Sequence, residues 1–429
     1  MLAQGQRVGL RRSRLTWRVG RLLGEGGQGA VHELECVEEA DRVLALKWYQ
    51  PAAATARQRA AIETLVAHGS PGPVFLWPME LVDIEGQPGF GYVMPRCPSG
   101  QVGLTDLLRQ RIDAPPSVAV KVCLGLADAF LTLHAQGLCY RDISFGNIMV
   151  DPANGAVSIL DNDNVGVDRA GQSGVLGTRR FMAPEIIRGE DRPNAQTDLH
   201  SLAVLNFYVL MLHHPLIGRR ELDYPCLDRD AENVLFGTEP VFVFDPNDPS
   251  NAPDPVEHAG VLANWPIHPL PIRRLFEQAF GAGLRDPLAR VRESVWRAAL
   301  ARLVDSIATC PACGRENFRG DGVAPVCWAC LTPLGDPVRL VFSGGELVLG
   351  ARTTVCRHHL RRDYDYQTIF GEVTRHPTRD LWGLRNVCGS RWAAKAPGRE
   401  ATVVEPGQTL ALVPGAEVEI DGARVRIVR

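Results

Sequence analysis

The chain has 429 residues, 45% of them hydrophobic and 22% charged, so it is long enough for two or three domains with sizeable cores. Its formal net charge of -3 is close to neutral, and we therefore expect neither nucleic acid nor an anionic membrane surface as its main partner. No apolar run approaches the roughly 20 residues that span a bilayer, and the arginine-rich start lacks a signal-peptide stretch, so a cytoplasmic protein is expected.

The first predicted element is a strand at residues 15–23, which runs into the sequence GEGGQGAV at residues 24–31. Glycines at this spacing let a hairpin backbone close over phosphate groups, and its amides can donate to the phosphate oxygens. A strand follows rather than a helix, which argues against a dinucleotide-binding fingerprint. A plain glycine-rich turn is the alternative.

A second strand at residues 42–49 carries one lysine, Lys47, within an apolar run, and the helix predicted at residues 55–68 contains Glu63. A pair formed by these two side chains would hold the ammonium group against nucleotide phosphates. The alternatives are a solvent-facing lysine on an edge strand and an exposed charge on a helix.

Two further strands are predicted at residues 74–82 and 91–95, before turn residues at 96–100 break the pattern. The pattern then becomes helical. Its strongest amphipathic helix covers residues 118–136, and Gly137 is the expected terminator.

The sequence CYRDISFGNIMV at residues 139–150 places Asp142 five residues before Asn147. A carboxylate here can accept or orient a hydroxyl proton, and a carboxamide can hold a metal ion that is bound to phosphate. A short strand that starts at residue 157 ends at an acidic residue, Asp161. Taken singly, such residues are often only turn residues.

In this order, the motifs resemble those of eukaryotic-like (Hanks-type) serine/threonine protein kinases of bacterial type. The resemblance covers residues 15–303 and implies an α+β, two-lobed protein-kinase domain at residues 15–305. It also implies binding of ATP with Mg²⁺ or Mn²⁺, and transfer of the γ-phosphoryl group to serine or threonine hydroxyls of a protein substrate or of the kinase itself.

The resemblance assigns a role to each of these residues. Asp142 would orient the hydroxyl, and Lys47 with Glu63 would position the phosphates. Asn147 and Asp161 would hold magnesium. The implied nucleotide-binding residues are Gly24, Gly26, Gly29 and Val31 of the glycine-rich segment, Lys47, Met94 near the back of the adenine pocket, and Arg96 and Cys97 of the connector between the lobes.

Other resemblances concern the scaffold. The sequence GTRRFMAPE resembles the end of a kinase activation segment, in which Thr178 would contact Asp142. Asp198 resembles the buried helix aspartate that braces the catalytic loop of these kinases. Arg290 is the candidate partner for Glu185, the last residue of that sequence.

Several positions depart from the family pattern: Tyr140 stands where histidine is usual, and Asn162 and Asp163 stand where the family has phenylalanine and glycine. Ser144 stands where serine/threonine kinases usually have a lysine, and Gly146 stands where tyrosine kinases have an arginine. The site would then lack one cation unless Arg179 or Arg180 supplies it. The alternatives to an active kinase are a pseudokinase, which binds nucleotide as a scaffold, and a platform that docks partners through the C-terminal region.

Regulation and partners follow from the same resemblance. Arg141 resembles the arginine of kinases whose activation loop is phosphorylated, with Ser173 as the candidate site. The overall layout also resembles bacterial kinases found alongside a von Willebrand A-type protein and a PP2C-type phosphatase, which implies such partners. The irregular, Pro-, Asp- and Asn-rich residues 216–271 are either a flexible surface insertion or a docking element.

Four of the 11 cysteines form two Cys-x-x-Cys pairs, which favours metal binding over a disulfide framework. The pairs are Cys310 with Cys313 and Cys327 with Cys330. Their spacing predicts a structural Zn²⁺ site in a zinc ribbon at residues 306–336, with no open position for catalysis. Such a small ribbon would depend on its metal.

The remaining residues, 337–429, read as a β-sandwich of short strands. Its sequence resembles a divergent forkhead-associated (FHA) domain, a family that binds phosphothreonine, with Arg352 and Ser390 as counterparts of the binding residues. The usual Asn-Gly-Thr turn is missing, so a structural or partner-docking sandwich is the alternative. Strands are predicted at residues 340–342, 346–349, 381–386, 402–404, 409–413 and 417–428.

Overall fold

The computed structural model describes residues 2–39, 41–168, 176–350, 353–376 and 382–429, so Ser173 and Arg352 lie outside the described residues. The chain divides into two compact units. The first comprises Met1–Ala114, Val118–Leu262 and Arg274–Arg297; the second comprises Pro115–Ser117, Ala263–Arg273 and Ala298–Arg429.

The first unit begins with a six-stranded antiparallel sheet in the order β1-β2-β3-β4-β6-β5, followed along the chain by mainly helical structure. The elements of this N-terminal part are β1 Arg7–Val8, β2 Trp17–Glu25, β3 Gly29–Cys36, β4 Val43–Tyr49, α1 Ala56–His68, β5 Glu80–Val82 and β6 Gly91–Pro95. Thr55 caps α1, because its side chain accepts a hydrogen bond from the backbone amide of Gln58.

Two details of this sheet differ from the sequence prediction. The N-terminal arm is part of the fold, because Leu2, Val8 and Leu10 are buried in the core of the sheet. The strand expected at residues 74–82 forms only as β5. Phe75 instead makes a bridge to Ile159, outside the six-stranded sheet.

The chain then continues with β7 Val102–Gly103, α2 Leu104–Leu108, α3 Pro116–Ala135, β8 Leu138–Cys139, β9 Ile148–Val150, β10 Val157–Ile159, β11 Gly166–Val167, α4 Pro184–Ile187, α5 Ala195–Met211, α6 Arg229–Asn233, α7 Ala259–Asn264, α8 Leu270–Phe280, α9 Ala282–Arg285 and α10 Glu293–Asp305. Helices α3 and α5 have mostly buried side chains and form the centre of this part. The short strands between them carry the loops described below.

Helix α3 agrees with the helix predicted at residues 118–136. Among the described residues it is also the one helix long and apolar enough to cross a membrane, with a mean hydropathy of 1.6 over its most apolar window. The sequence had predicted no such segment. Slightly more than half of that window, 56%, is buried inside the protein, as in the core helix of a globular domain.

Residues 216–271, predicted to be irregular, contain the short helices α6 and α7 and are attached to their surroundings. Asn251 is buried, and its Nδ2 donates hydrogen bonds to the backbone carbonyls of Leu216 at 3.1 Å and Val241 at 2.7 Å. These contacts close residues 216–251 through one buried side chain.

The second unit contains a short hairpin and two larger sheets. Its elements are β12 Ile307–Thr309, β13 Glu316–Phe318, β14 Arg339–Phe342, β15 Gly345–Val348, β16 Thr354–Cys356, α11 Arg357–Arg361, β17 Ile369–Arg375, β18 Trp382–Asn386, β19 Trp392–Lys395, β20 Thr402–Val404, β21 Thr409–Ala411, β22 Glu417–Ile420 and β23 Ala423–Val428. A six-stranded sheet, β15-β14-β23-β22-β19-β20, and a four-stranded sheet, β16-β17-β18-β21, share one apolar core that includes Leu340, Leu384 and Trp392.

Candidate active site and cysteine cluster

Asp142 lies in the loop between β8 and β9, where two neighbours hold it. Thr178 Oγ1 donates a hydrogen bond to Asp142 Oδ1 at 2.9 Å, so the predicted contact between these residues is confirmed. Asn147 Nδ2 donates to the backbone carbonyl of Asp142 at 2.9 Å and lies 3.4 Å from Asp142 Oδ2. Asp142 is only partly buried, so its carboxylate is oriented without being enclosed.

The loop is braced from below by Asp198 of α5, which confirms the predicted role of this residue. Asp198 is 1% exposed and accepts hydrogen bonds from two successive backbone amides, those of Tyr140 at 2.5 Å and Arg141 at 2.9 Å. The Tyr140 hydroxyl donates to the carbonyl of Leu160 at 2.5 Å. The loop is thereby joined both to the main helix and to the segment that carries Asp161.

His134 of α3 lies between two acidic side chains, Asp198 at 3.1 Å and Glu293. Burial alone would lower the pKa of His134, but the hydrogen bonds and charges of these carboxylates outweigh burial and raise the pKa to about 9. Both ring nitrogens therefore donate, and the imidazolium is the form that the fold stabilises.

This shift predicts a pH-dependent stability. The folded-state pKa is higher than the ordinary value of 6.5, so the stabilisation is complete below about pH 6.5 and is lost as the pH rises through about 9. We expect denaturant titrations to show that the free energy of unfolding falls between pH 6 and pH 9.5. The fall should be on the order of 3 kcal/mol larger in the wild type than in His134→Gln. The exposed His68 gives the control, His68→Gln. An equal loss in wild type and His134→Gln would contradict the prediction.

Lys47 is 5% exposed on β4, and two aspartates hold its ammonium group. Its Nζ donates to Asp163 Oδ2 at 2.7 Å and to Asp161 Oδ1 at 3.2 Å. Burial works against the charge on Lys47, but these carboxylates raise its pKa above the ordinary value. The predicted pair with Glu63 does not form, because Glu63 lies on the exposed face of α1.

Asp161 and Asp163 reach the same ammonium because of a tight turn at the end of β10. Asp161 has left-handed backbone angles, with φ of 45°, and Asn162 Nδ2 donates to the carbonyl of Ile159 at 2.9 Å. The Asp161 side chain is 47% exposed, whereas that of Asp163 is fully buried. Asp161 is therefore the carboxylate of this pair that solvent, and a metal ion, can reach.

Asn147 is brought beside this turn by the backbone. The amide of Leu160 donates to the carbonyl of Asn147 at 2.8 Å, so the residue before Asp161 is fixed to the loop that carries Asp142. Carboxylate and carboxamide oxygens are ligands that Mg²⁺ accepts. Asn147 and Asp161 are thus the residues that could hold a metal ion, as the sequence predicted.

The glycine-rich segment forms the hairpin between β2 and β3, in which the amides of Gly26 and Gly29 donate to each other's carbonyls at 2.9 and 3.3 Å. A side chain at Gly24 or Gly26 would meet no other atom, so the hairpin has an open face there. At Gly29, a Cβ would lie 2.2 Å from the carbonyl oxygen of Trp48. Gly29 is thus required by the close approach of β4.

The predicted nucleotide contacts that follow this hairpin lie on β3, on β6 and just after β6. Val31 pairs with Lys47 in the sheet, and Met94 is buried on β6. The Arg96 guanidinium pairs with Glu33 of β3 at 3.1 Å. Cys97 is partly exposed and donates to Gln101 Oε1 at 3.3 Å.

Ser144 is buried, with 6% exposure. The two arginines suggested as substitutes both pair with Glu232: Arg179 Nε lies 2.9 Å and Arg180 Nε 3.6 Å from its carboxylate.

Glu185 and Arg290 form the predicted pair, with two hydrogen bonds of 2.8 Å between their forked groups. Both residues are buried, at 7% and 4% exposure. Arg290 Nη1 also donates to the carbonyl of Gln196 at 2.9 Å. The pair joins the segment after the active site to the loop that follows α9.

Replacing either Glu185 or Arg290 should therefore leave the charge of the other residue buried and uncompensated. We expect Arg290→Gln to lower the free energy of unfolding by about 3–5 kcal/mol, measured by denaturant titration. The matched control is Arg42→Gln, which breaks an exposed pair with Glu39 and should cost less than about 1 kcal/mol. If both variants show an equally small decrease in the free energy of unfolding, the pair of Glu185 and Arg290 does not stabilise the fold.

The four predicted cysteines come together at the β12–β13 hairpin, with their sulfur atoms all within 4.8 Å of one another. Cys310 lies 3.7 Å from Cys330, and Cys313 lies 3.6 Å from Cys327, sulfur to sulfur. Four thiolates around one tetrahedral Zn²⁺, with Zn–S of about 2.3 Å, would be about 3.8 Å apart. The cluster fits that ion.

The two halves of the cluster have the same backbone pattern. The amides of Cys310 and Cys327 donate to the carbonyls of Arg315 and Thr332, each at 2.8 Å. Left-handed residues close both turns, Gly314 with φ of 75° and Leu331 with φ of 60°. The two Cys-x-x-Cys pairs thus form closed turns of the same kind.

In the sandwich, Ser390 is exposed in the loop after β18. Asn386 fixes this loop: its buried Nδ2 donates to the carbonyls of Ser390 at 2.9 Å and Val404 at 3.1 Å. These hydrogen bonds tie the loop to the end of β20, and Arg352, the other predicted counterpart of the binding residues, lies outside the described residues.

Three site residues were missed by sequence reasoning: Asp163, Tyr49 and Gln58. The Tyr49 hydroxyl donates to Asp163 Oδ2, and Gln58 Nε2 donates to the Tyr49 hydroxyl oxygen at 3.0 Å. The signal for Asp163 was a second acidic residue two positions after Asp161. The role of Asp163 could not be assigned from this signal, because it depends on which distant residues contact its side chain.

Residues 17–235, just over half of the chain, match the protein kinase domain family. The chain therefore belongs to the protein kinase family. This agrees with the N-terminal antiparallel sheet, the helical part that follows it and the braced loop that carries Asp142.

Curated relatives are bacterial serine/threonine-protein kinases. PknB of Mycobacterium leprae is 25% identical over 213 residues, which are 47% of this chain and 33% of PknB. PknD of Mycobacterium tuberculosis is 32% identical over 193 residues, which are 43% of this chain and 28% of PknD. The chain thus spans about a third of the length of these relatives.

Proposed function

We propose that this protein is a serine/threonine protein kinase that transfers the γ-phosphoryl group of ATP, bound with Mg²⁺ or Mn²⁺, to hydroxyls of a protein substrate and of itself. One arrangement supports the proposal above all. Thr178 and Asn147 hold Asp142, while Lys47 pairs with Asp161 one residue beyond the backbone link to Asn147.

Each residue has a defined task in this proposal. Asp142 orients the attacking hydroxyl and accepts its proton, while Asn147 and Asp161 supply oxygen ligands to the metal. Lys47 donates to the phosphate oxygens. Bound Mg²⁺ supplies neutralisation of phosphate charge, and one ammonium facing two carboxylates leaves the excess negative charge that suits a divalent cation. Contacts to the rest of the nucleotide come from the hairpin at Gly24, Gly26, Gly29 and Val31 and from Met94, Arg96 and Cys97.

The test is transfer of labelled phosphate from ATP by the purified full chain, with Mg²⁺ and a generic serine/threonine substrate. Label on the substrate or on the chain itself is the expected result. No label on either, under conditions in which ATP raises the melting temperature of the chain, would overturn the proposed activity.

A second function, a nucleotide-binding scaffold, is favoured by one observation. Ser144 is buried where a cation is usual, and Arg179 and Arg180 are engaged with Glu232. A chain of this kind would bind nucleotide without transfer. It would then dock partners through the C-terminal unit.

We also propose that the cysteine cluster is a structural Zn²⁺ site and that the FHA-like sandwich docks protein partners. The partners proposed are a von Willebrand A-type protein and a PP2C-type phosphatase, in the cytoplasm. Sulfur separations of 3.6 and 3.7 Å support the zinc site. A phosphothreonine peptide is the ligand to test on the sandwich, and Ser390→Ala should weaken its binding if that loop reads phosphate.

A further inference from the structure

We propose that Asp163 is the positioning residue that anchors Lys47, in the place that the sequence assigned to Glu63. This inference rests on the proposed nucleotide-binding role of Lys47. It depends on the packing of β4, α1 and the turn after β10, all of which belong to the first unit.

Asp163 and Lys47 are buried together. The Asp163 side chain is fully buried, and its Oδ2 lies 2.7 Å from Lys47 Nζ. Among the described residues, Lys47 is the cation paired with this carboxylate. A buried carboxylate without a cation is strongly disfavoured, so Asp163 and Lys47 each depend on the other.

The two aspartates that contact Lys47 differ in distance and exposure. Asp161 is farther from Lys47, at 3.2 Å, and its side chain is 47% exposed. A metal ion that arrives from solvent can coordinate the Asp161 carboxylate. Lys47 then keeps the shorter and buried contact to Asp163, so its ammonium stays in place when Asp161 is occupied.

A chain of hydrogen bonds links Asp163 to α1. Tyr49 donates to the same Asp163 oxygen, and Gln58 of α1 donates to Tyr49 at 3.0 Å. Gln58 lies on the same side of α1 as Ile62, which is buried and follows Gln58 by one helical turn. Glu63 is rotated about 100° from Ile62, which turns it to solvent. The helix therefore contacts the lysine through Gln58, Tyr49 and Asp163.

The experiment is a double-mutant cycle with Asp163→Asn and Lys47→Met in the full chain, read as ATP affinity by calorimetry and as kcat/KM where transfer occurs. In the wild-type background, Asp163→Asn should lower kcat/KM by about 100-fold, the cost of misplacing a positioning group. In the Lys47→Met background it should have no further effect, because Asp163 acts through Lys47. Additive losses would overturn the inference.

Two further variants compare the rival assignments. Glu63→Gln should cost less than Asp163→Asn; a larger loss in Glu63→Gln would overturn the inference. If Asp163→Asn does not fold, Tyr49→Phe replaces it in the cycle, with an expected loss of about tenfold that also disappears in Lys47→Met. The exposed Asp223→Asn is the matched control.

Failure of the proposed function is distinguishable from failure of this inference. If the wild type binds ATP but transfers no phosphate, the kinase proposal fails, and the cycle measured on ATP affinity alone still decides the role of Asp163. Coupling in that cycle supports the inference, and its absence overturns it.

Discussion

Asp142→Asn is expected to lower the rate of phosphoryl transfer by about 100-fold or more, because a positioned general base contributes at least this much to such reactions. The carboxamide keeps the shape of the side chain and can still contact Thr178. In the wild type, Thr178 Oγ1 lies 2.9 Å from Asp142 Oδ1. It cannot accept the hydroxyl proton. The measurement is kcat with a generic protein substrate.

ATP affinity separates chemistry from folding in this variant. Asp142 pairs with Thr178 and Asn147 and has no ion pair with Lys47 in the described part of the chain, so nucleotide binding should be unchanged. The exposed Asp223→Asn should retain both binding and transfer. Wild-type rates in Asp142→Asn would exclude the assigned role of Asp142.

Zinc removal is expected to unfold residues 306–336. The buried cluster around the four cysteines consists of Cys310, Cys327 and Leu334, which is too little apolar surface to hold the Cys-x-x-Cys turns closed. Binding of structural zinc to such small sites supplies about 10–16 kcal/mol, and this free energy is folding free energy. A strong chelator should therefore abolish hydrogen-exchange protection at the amides of Cys310 and Cys327.

The matched variants are Cys313→Ser within the cluster and Cys226→Ser at an exposed cysteine elsewhere. Metal analysis should find about one zinc ion per chain in the wild type and in Cys226→Ser, and much less in Cys313→Ser. The amides of β3 and β4, in the first unit, should keep their protection throughout. Unchanged protection at Cys310 after chelation would show that the ribbon does not need a metal.

The strands of the sandwich could be predicted only in part from local sequence pattern. The strands predicted at residues 340–342 and 402–404 agree with β14 and β20, but the strand predicted at residues 417–428 is two strands, β22 and β23. They are joined by Asp421 and Gly422, both with positive φ, which is the conformation of a tight hairpin turn. Alternation on both sides of this turn hid the break.

The order of the motifs determined the family and much of the site. Asp142 and Asn147 lie five residues apart in one loop, and each Cys-x-x-Cys pair forms one turn, so their chemistry is set by short-range spacing. Asp198 and Arg290 were also found from sequence, through their resemblance to known scaffold residues. The lysine's partner could not be found in this way.

Sequence alone therefore identified the groups that we propose to bind phosphate and metal, because those groups lie in local motifs. Only the tertiary structure decided that Lys47 pairs with Asp163, 116 residues away, and that Glu63 faces solvent. The physical reason is that the rotation of α1 and the turn at Asp161 together decide which carboxylate reaches the buried ammonium. Both are fixed by packing between segments that are distant in the chain.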